Sequence, residues 1–170
     1  MKDYKKEGKI EGSLIIDGNL ILTGNLEVTE KIEVSGLIEC SGYSIKAGGS
    51  IEAGDWIKAG DWIKASGWIK ASGWIKAGDW IKASGLIEAE FGITSFLQIT
   101  CKGTLSAGLR IIAGVCNWRN ITDEDKTITC SQLLRGEIVG ILNETGDVKE
   151  DTFEQARKLL EDNGFKVVKS

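Results

Sequence analysis

The stretch GDWIKAGDWIKASGWIKASGWIKAGDWIKASGLIEA, Gly54 to Ala89, is one hexapeptide written over and over. Isoleucine returns every sixth residue, at Ile57, Ile63, Ile69, Ile75, Ile81 and Ile87. A short fixed period marks a solenoid, whose repeats bury their apolar faces only against neighbouring repeats. Within one hexad, period-two alternation puts Ile57 and Ala59 on one face and Trp56 and Lys58 on the other. The apolar pair must point inward, which leaves tryptophan and lysine in solvent. Gly60 and Asp61 then supply the bend, glycine through its freedom at positive φ and aspartate through its turn-capping carboxylate. Each hexad is thus one short strand plus one corner. Three of them, about 18 residues, close a triangular coil.

Outward from this centre the aliphatic ladder continues in both directions. Leu14, Leu20, Leu26, Ile32 and Ile38 precede it at intervals of six, and one step of seven to Ile45 implies a widened corner near Tyr43. Ile51, Ile93, Ile99, Leu105 and Ile111 extend the period of six. The expected fold is an all-β triangular parallel β-helix over residues 13–115, with between five and six coils stacked ~4.8 Å apart. Residues 1–12 read as a charged, frayed lead-in. After Val115 the period fails, and residues 116–170 read as a small α+β cap. Glu137–Leu142 is its strand, and its helix spans about 152–162. The helix is marked by the Thr152/Gln155 capping box, the apolar face Phe153, Ala156, Leu159 and Leu160, and the stop at Asn163-Gly164. Such a cap would cover the last coil's open edge. The N-terminal end shows no counterpart, so Leu14, Ile16, Leu20 and Leu22 are expected to meet a second chain.

Composition narrows the function classes. The 170 residues carry a net charge of -4 and contain no histidine and no proline. The commonest general base and metal ligand is therefore missing. Mild acidity gives no support to a bulk nucleic-acid binder, and no apolar run approaches the ~20 residues that span a bilayer. Cys40, Cys101, Cys116 and Cys130 form no CxxC pair. Cys40 and Cys101 fall on the small inward position of the repeat, as reduced core residues. Asp61 and Asp79 stack one coil apart but read as corner residues. Asp123, Glu124 and Asp125 match no calcium loop. The expectation is a cytoplasmic, non-enzymatic protein without cofactor or metal.

Two families share features of the repeat. Hexapeptide acyltransferases place a small residue four positions after each aliphatic one, whereas alanine follows here after two, as in Ile57/Ala59. Their acetyl transfer typically relies on histidine, so that activity is set aside. GSLIIDGNLILTGNLEVT (12–29) and KIEVSGLIECSG (31–42) resemble the bactofilins, polymer-forming bacterial cytoskeletal proteins built on a right-handed triangular β-helix. The resemblance covers about residues 12–113 and implies self-assembly. The near-verbatim repeats also look like proteins encoded by bacterial phages.

With three hexads per coil, residues 18 apart stack on one side. Trp56/Lys58 lies under Trp74/Lys76, and Trp62/Lys64 under Trp80/Lys82, while Trp68/Lys70 sits between Glu52 and Glu88. Tryptophan is the residue most enriched at interface hot spots. These eight Trp and Lys residues of the first two sides are the candidate protein-contact surface. The reading is a self-associating scaffold. The alternative is a phage-encoded inhibitor that binds and blocks a host protein or a defence (anti-CRISPR-type) complex. A competing use of the indoles is to lie flat over glycine-rich corners. Single-stranded nucleic acid is disfavoured because six lysines face six acids between Ser44 and Glu90.

Overall fold

The computed structural model describes residues 2–146. Its strands join in one parallel array of about eight coils with about 18 residues per turn, a β-solenoid on the order of 35 Å long at the usual strand spacing. Twelve strands of three residues, from β4 (Ile32–Val34) to β15 (Ile99–Cys101), make its regular part. From β6 to β13 each strand pairs with the third strand before it and the third after it. Ile57 thus stands opposite Ile38 on one side and Ile75 on the other. Three flat sides result. Side A carries Ile32, Ile51, Ile69 and Ile87 in register, side B Ile38, Ile57, Ile75 and Ile93, and side C Ile45, Ile63, Ile81 and Ile99.

The buried–outward–buried rhythm of every hexad follows the expected alternation. The isoleucines are 0–1% exposed and the alanines two residues on are 0–3% exposed. Each fully buried aliphatic stabilises by about 1.5–3 kcal/mol. Corners are tied as closely as strands: Gly67 N–H donates to Gly49 O (2.8 Å), and Gly85 N–H to Gly67 O (2.9 Å). The corner glycines differ from expectation in their reason. Those of the GD corners do not adopt positive φ. A Cβ on Gly54 would strike the Ser35 carbonyl, and one on Gly60 would strike the Gly42 backbone, so what they supply is room for the neighbouring coil. Between Ile32 and Cys101 left-handed backbone occurs at one glycine, Gly42 with φ +86°, in the widened corner before Ile45.

Both ends depart from the sequence reading. Residues 3–10 are not a frayed lead-in but a strand, β1 (Asp3–Ile10), paired with β3 (Asn19–Val28) on sides B and C. Tyr4 and Ile10 pack against the core. The N-terminal coil is therefore covered on two sides. Leu14, Ile16, Leu20 and Leu22 are buried ladder residues, so the self-association role expected of them finds no exposed side chain. β2 (Leu14–Ile16) is left uncovered by β1, with Ile15 exposed, while β1 itself forms the outer edge on the other two sides.

At the other end the prism does not stop at 115. β16 (Thr104–Ile112) turns one corner, and residues 113–126 leave the coil as an inserted loop. The solenoid then resumes with β17 (Thr127–Cys130) on β15, β18 (Gln132–Val139) on β16 and β19 (Ile141–Glu144) on β17. Residues 127–144 are solenoid, not an α+β cap. The hexad vanishes because the corners shorten, with Leu142 opposite Ile128 only 14 residues earlier. The helix expected at 152–162 lies outside the described residues. Among the described residues no helix is long and apolar enough to cross a membrane.

Two outcomes check this architecture. Ile69→Ala, in the middle of the ladder, should cost about 2–5 kcal/mol in denaturant unfolding. Deleting residues 2–11 should bare the β3 edge and turn a monodisperse sample into one that aggregates in size-exclusion chromatography.

Candidate functional site

The outward residues inherit the register of the inward ones. Lys58 stands opposite Lys76 on side B, and Lys46, Lys64 and Lys82 form a row on side C. Two adjacent ammonium groups repel by roughly 1 kcal/mol in water. The coils relieve part of this: Lys46 pairs with Glu27 (2.8 Å), Lys58 with Glu39 (3.0 Å) and Lys70 with Glu88 (3.4 Å). All six side chains are 35–48% exposed, and solvent screening leaves each pair a small contribution. Lys64, Lys76 and Lys82 have no carboxylate partner among the described residues.

The tryptophans divide into two groups that the repeat does not distinguish. Trp62 and Trp80, at the B-to-C corner, stack face to face with centroids 4.9 Å apart and planes 3° apart. Each covers the other, and both are only partly exposed. Trp56 and Trp74, at the A-to-B corner, are 38% and 43% exposed. Trp74 leans over the backbone of Gly92, where a Cβ would collide with the ring, so this indole does cover glycine while leaving much of its surface in water. Trp68 stands exposed at the third corner.

Two residues outside the tryptophan column join the A-to-B corner. Phe91 lies 6.2 Å from Trp74 and is 49% exposed. Leu109, 55% exposed, follows one coil further, its N–H donating to Phe91 O. Trp56, Trp74, Phe91 and Leu109 thus stand on four successive coils of one corner and together expose apolar surface on the order of 400 Å², within the ~300–600 Å² of the largest patch on a typical monomer. By register Asp55 and Glu90 lie on the side-A edge of this ridge and Lys58 and Lys76 on side B, where Lys58 pairs with Glu39 and the Lys76 ammonium lies 6.0 Å from the Phe96 ring centroid. The sequence signal for Phe91 and Leu109 was available only as exposed-type positions bearing large apolar residues in the corner itself.

The inserted loop adds a second feature. Trp118 packs on Phe96 (5.1 Å between centroids), and Gln98 Nε2 donates to Glu124 Oε1 (3.4 Å), so the loop lies over the B-to-C corner. Asp125 is its knot: the carboxylate is nearly buried and accepts from Thr122 N–H (2.8 Å), Thr122 Oγ1 (3.0 Å) and Arg119 Nη2 (2.7 Å). The acidic run 123–125 therefore places one of its three carboxylates in a nearly buried hydrogen-bonded site. Among the described residues no three His, Cys, Asp or Glu side chains converge as metal ligands would. Asp61 and Asp79 occupy corners, with Asp79 N–H donating to Asp61 O (2.9 Å) and Ser44 Oγ donating to the Asp61 carboxylate (3.4 Å).

All four cysteines are free and buried. Burial pushes the Cys40 thiol up to about 11 and the Cys101 thiol up to about 12, which keeps both protonated and poorly nucleophilic at neutral pH. No protein-family model, curated protein or solved structure matches this chain.

The Asp125 knot predicts an acid-sensitive loop. Hydrogen bonding from Thr122 N–H, then from Arg119, holds its carboxyl below the usual carboxylate range. The stabilisation is complete above the unfolded-state value of about 3.9 and is lost as pH falls through the lower folded value. Hydrogen exchange at the Thr122 amide should accelerate, relative to its intrinsic rate, below about pH 4 while core amides such as Ile75 stay protected. In Asp125→Asn the Thr122 amide should be weakly protected at every pH.

Proposed function

We propose that this protein is a non-enzymatic binding solenoid that pairs side by side with a second copy through the Trp56–Trp74–Phe91–Leu109 ridge. One observation carries the reading: large apolar side chains stand exposed on four successive coils of one corner, with acids by register on its side-A edge and lysines on side B. When two such ridges run parallel about a two-fold axis, the acid edge of each meets the lysine edge of its partner. The buried core of the contact would be indole and phenyl, the side chains that dominate interface energetics. Self-assembly agrees with the bactofilin-like repeat, but the direction differs from end-to-end growth. β1 presents Lys5, Lys6 and Lys9 along its strand, and lysine on an edge strand discourages further pairing. Lateral association avoids that edge. Four unpaired buried thiols support a reducing compartment such as the cytoplasm.

The ridge alone is about half of a standard interface per partner, so its pairing belongs to the micromolar range. Light scattering over rising concentration should show the mass climbing from one chain to two. Trp74→Ser with Phe91→Ser should hold the protein at one chain without changing its circular dichroism. Lys76→Glu should weaken pairing, and adding Glu90→Lys should restore it. A single-chain mass at millimolar concentration overturns self-pairing. If that single chain also co-purifies with one bacterial protein, and Trp74→Ser abolishes the association, the ridge serves the inhibitor reading.

A further inference from the structure

Side C changes character partway along its length. Its outward row runs Lys46, Lys64, Lys82 and then drops to Thr100 and Thr129. The row beside it runs Trp62, Trp80 and then drops to Gln98 and Thr127. Long side chains give way to short ones over one coil, and the surface steps down into a trough of about 300 Å³ lined by Lys64, Trp80, Lys82, Gln98 and Thr100. A second hollow of about 180 Å³ adjoins it through Gln98 and Thr100 and ends against Glu124 of the inserted loop. Trp62 occupies one face of Trp80, so the indole's other face borders the trough.

We propose that this trough binds a carbohydrate carrying a carboxylate, sulfate or phosphate group. Lys64 and Lys82 lie on adjacent coils with no carboxylate partner among the described residues, and together they suit one multivalent anion. Thr100, Thr129, Gln98 and Glu124 offer hydroxyl, amide and carboxylate groups that exchange hydrogen bonds with sugar hydroxyls. The face of Trp80 is the apolar surface against which the C–H face of a sugar ring removes area from water. The volume suits two or three sugar units rather than a long polymer.

Other anions fit less well. An acidic peptide needs either an open strand edge or pockets for alternate side chains, and the middle of a closed side has neither. Single-stranded nucleic acid needs ring faces on which successive bases stack, but Trp62 and Trp80 cover each other. Glu124 at the far wall also repels a second phosphate, while it accepts a hydroxyl.

Titration of the full chain, read by tryptophan fluorescence, tests the assignment. The probes are trigalacturonate and a heparin-derived tetrasaccharide, with maltotriose as the neutral counterpart. An oligothymidylate and an octaglutamate peptide represent the other anions. At least one acidic sugar should bind at least about tenfold more tightly than maltotriose, and added salt should weaken it. Trigalacturonate over heparin identifies a carboxylate, the reverse a sulfate. Lys82→Gln and Trp80→Ala should each reduce that affinity about tenfold. Trp74→Ser with Phe91→Ser should leave it unchanged, which separates this trough from the ridge. The proposal fails if neither acidic sugar binds at about 10 mM, well above a useful affinity. It also fails if oligothymidylate or octaglutamate binds more tightly than both sugars, or if Lys82→Gln binds as the parent does.

Discussion

The structure depends on one constraint: a residue and its counterpart one coil away must sit at the same height on the same side. Backbone hydrogen bonds between coils impose it, as where Ile57 N–H donates to Trp74 O and Ile38 N–H to Trp56 O. Once it holds, isoleucine stacks on isoleucine and alanine on alanine through the central coils. The N-terminal strands fill the same inward positions with two larger side chains each, Leu14/Ile16, Leu20/Leu22 and Leu26/Val28, all buried, and Cys40 and Cys101 fit where alanine otherwise stands. A change at one rung is felt by the rungs above and below it, because interiors packed to crystal-like density pass volume errors to their neighbours.

The same constraint governs where the chain can depart from regularity. Corners answer to the coil beneath, so most carry a glycine or a short residue where the backbones approach. A corner may also swell without disturbing the strands. The residue added near Tyr43 lengthens the coil to 19, and pairing continues with Leu26 opposite Ile45. The 113–126 loop is a larger case. The chain leaves side B after Ile112 and re-enters side C at Thr127 with Ile128 still opposite Ile99. Loop length costs little entropy once the ends are fixed, roughly 0.6 kcal/mol per doubling. The corner is therefore the natural place for added chemistry, and Trp118, Arg119 and Glu124 all arrive by that route.

How much of this is legible in sequence follows from where strict spacing ends. From Leu14 to Ile111 the inward residue can be named by counting sixes, and the single step of seven locates its own cause. Beyond Ile128 the inward residues are Leu133, Ile138 and Leu142, at intervals of five, five and four. Strand pairing survives there while the period does not, so counting alone takes the region for another domain. β1 hides for a different reason. An end coil has a neighbour on one edge only, and DYKKEGKI carries charge on most positions because most of them face water. The protein-contact surface was half visible. The counting rule finds the tryptophan columns and their vertical neighbours, but it cannot see that two indoles turn onto each other while two lean out. It also passes over Phe91 and Leu109, which sit one position earlier in the hexad than the tryptophans they join.

The chain contains its own control for what the outward residues are for. Coils built on Leu14, Leu20 and Leu26, and those built on Ile93 and Ile99, keep the same side, register and burial as the central ones. Their outward positions hold Ile15, Ile21, Glu27, Thr94 and Thr100 in place of lysine, and Ser13, Asn19, Asn25, Gly92 and Gln98 in place of tryptophan. The interior therefore does not require a Trp-Ile-Lys strand, only an aliphatic residue at the first inward position and an apolar or small one at the second. Five repetitions of Trp-Ile-Lys in the middle of the prism add costs the fold need not bear: lysine beside lysine, and large apolar rings in water. Such costs are expected where a surface is shaped by what it touches rather than by what lies beneath it. On a three-sided prism that surface can be divided, since the ridge at the A-to-B corner and the trough on side C share a core but no outward residue.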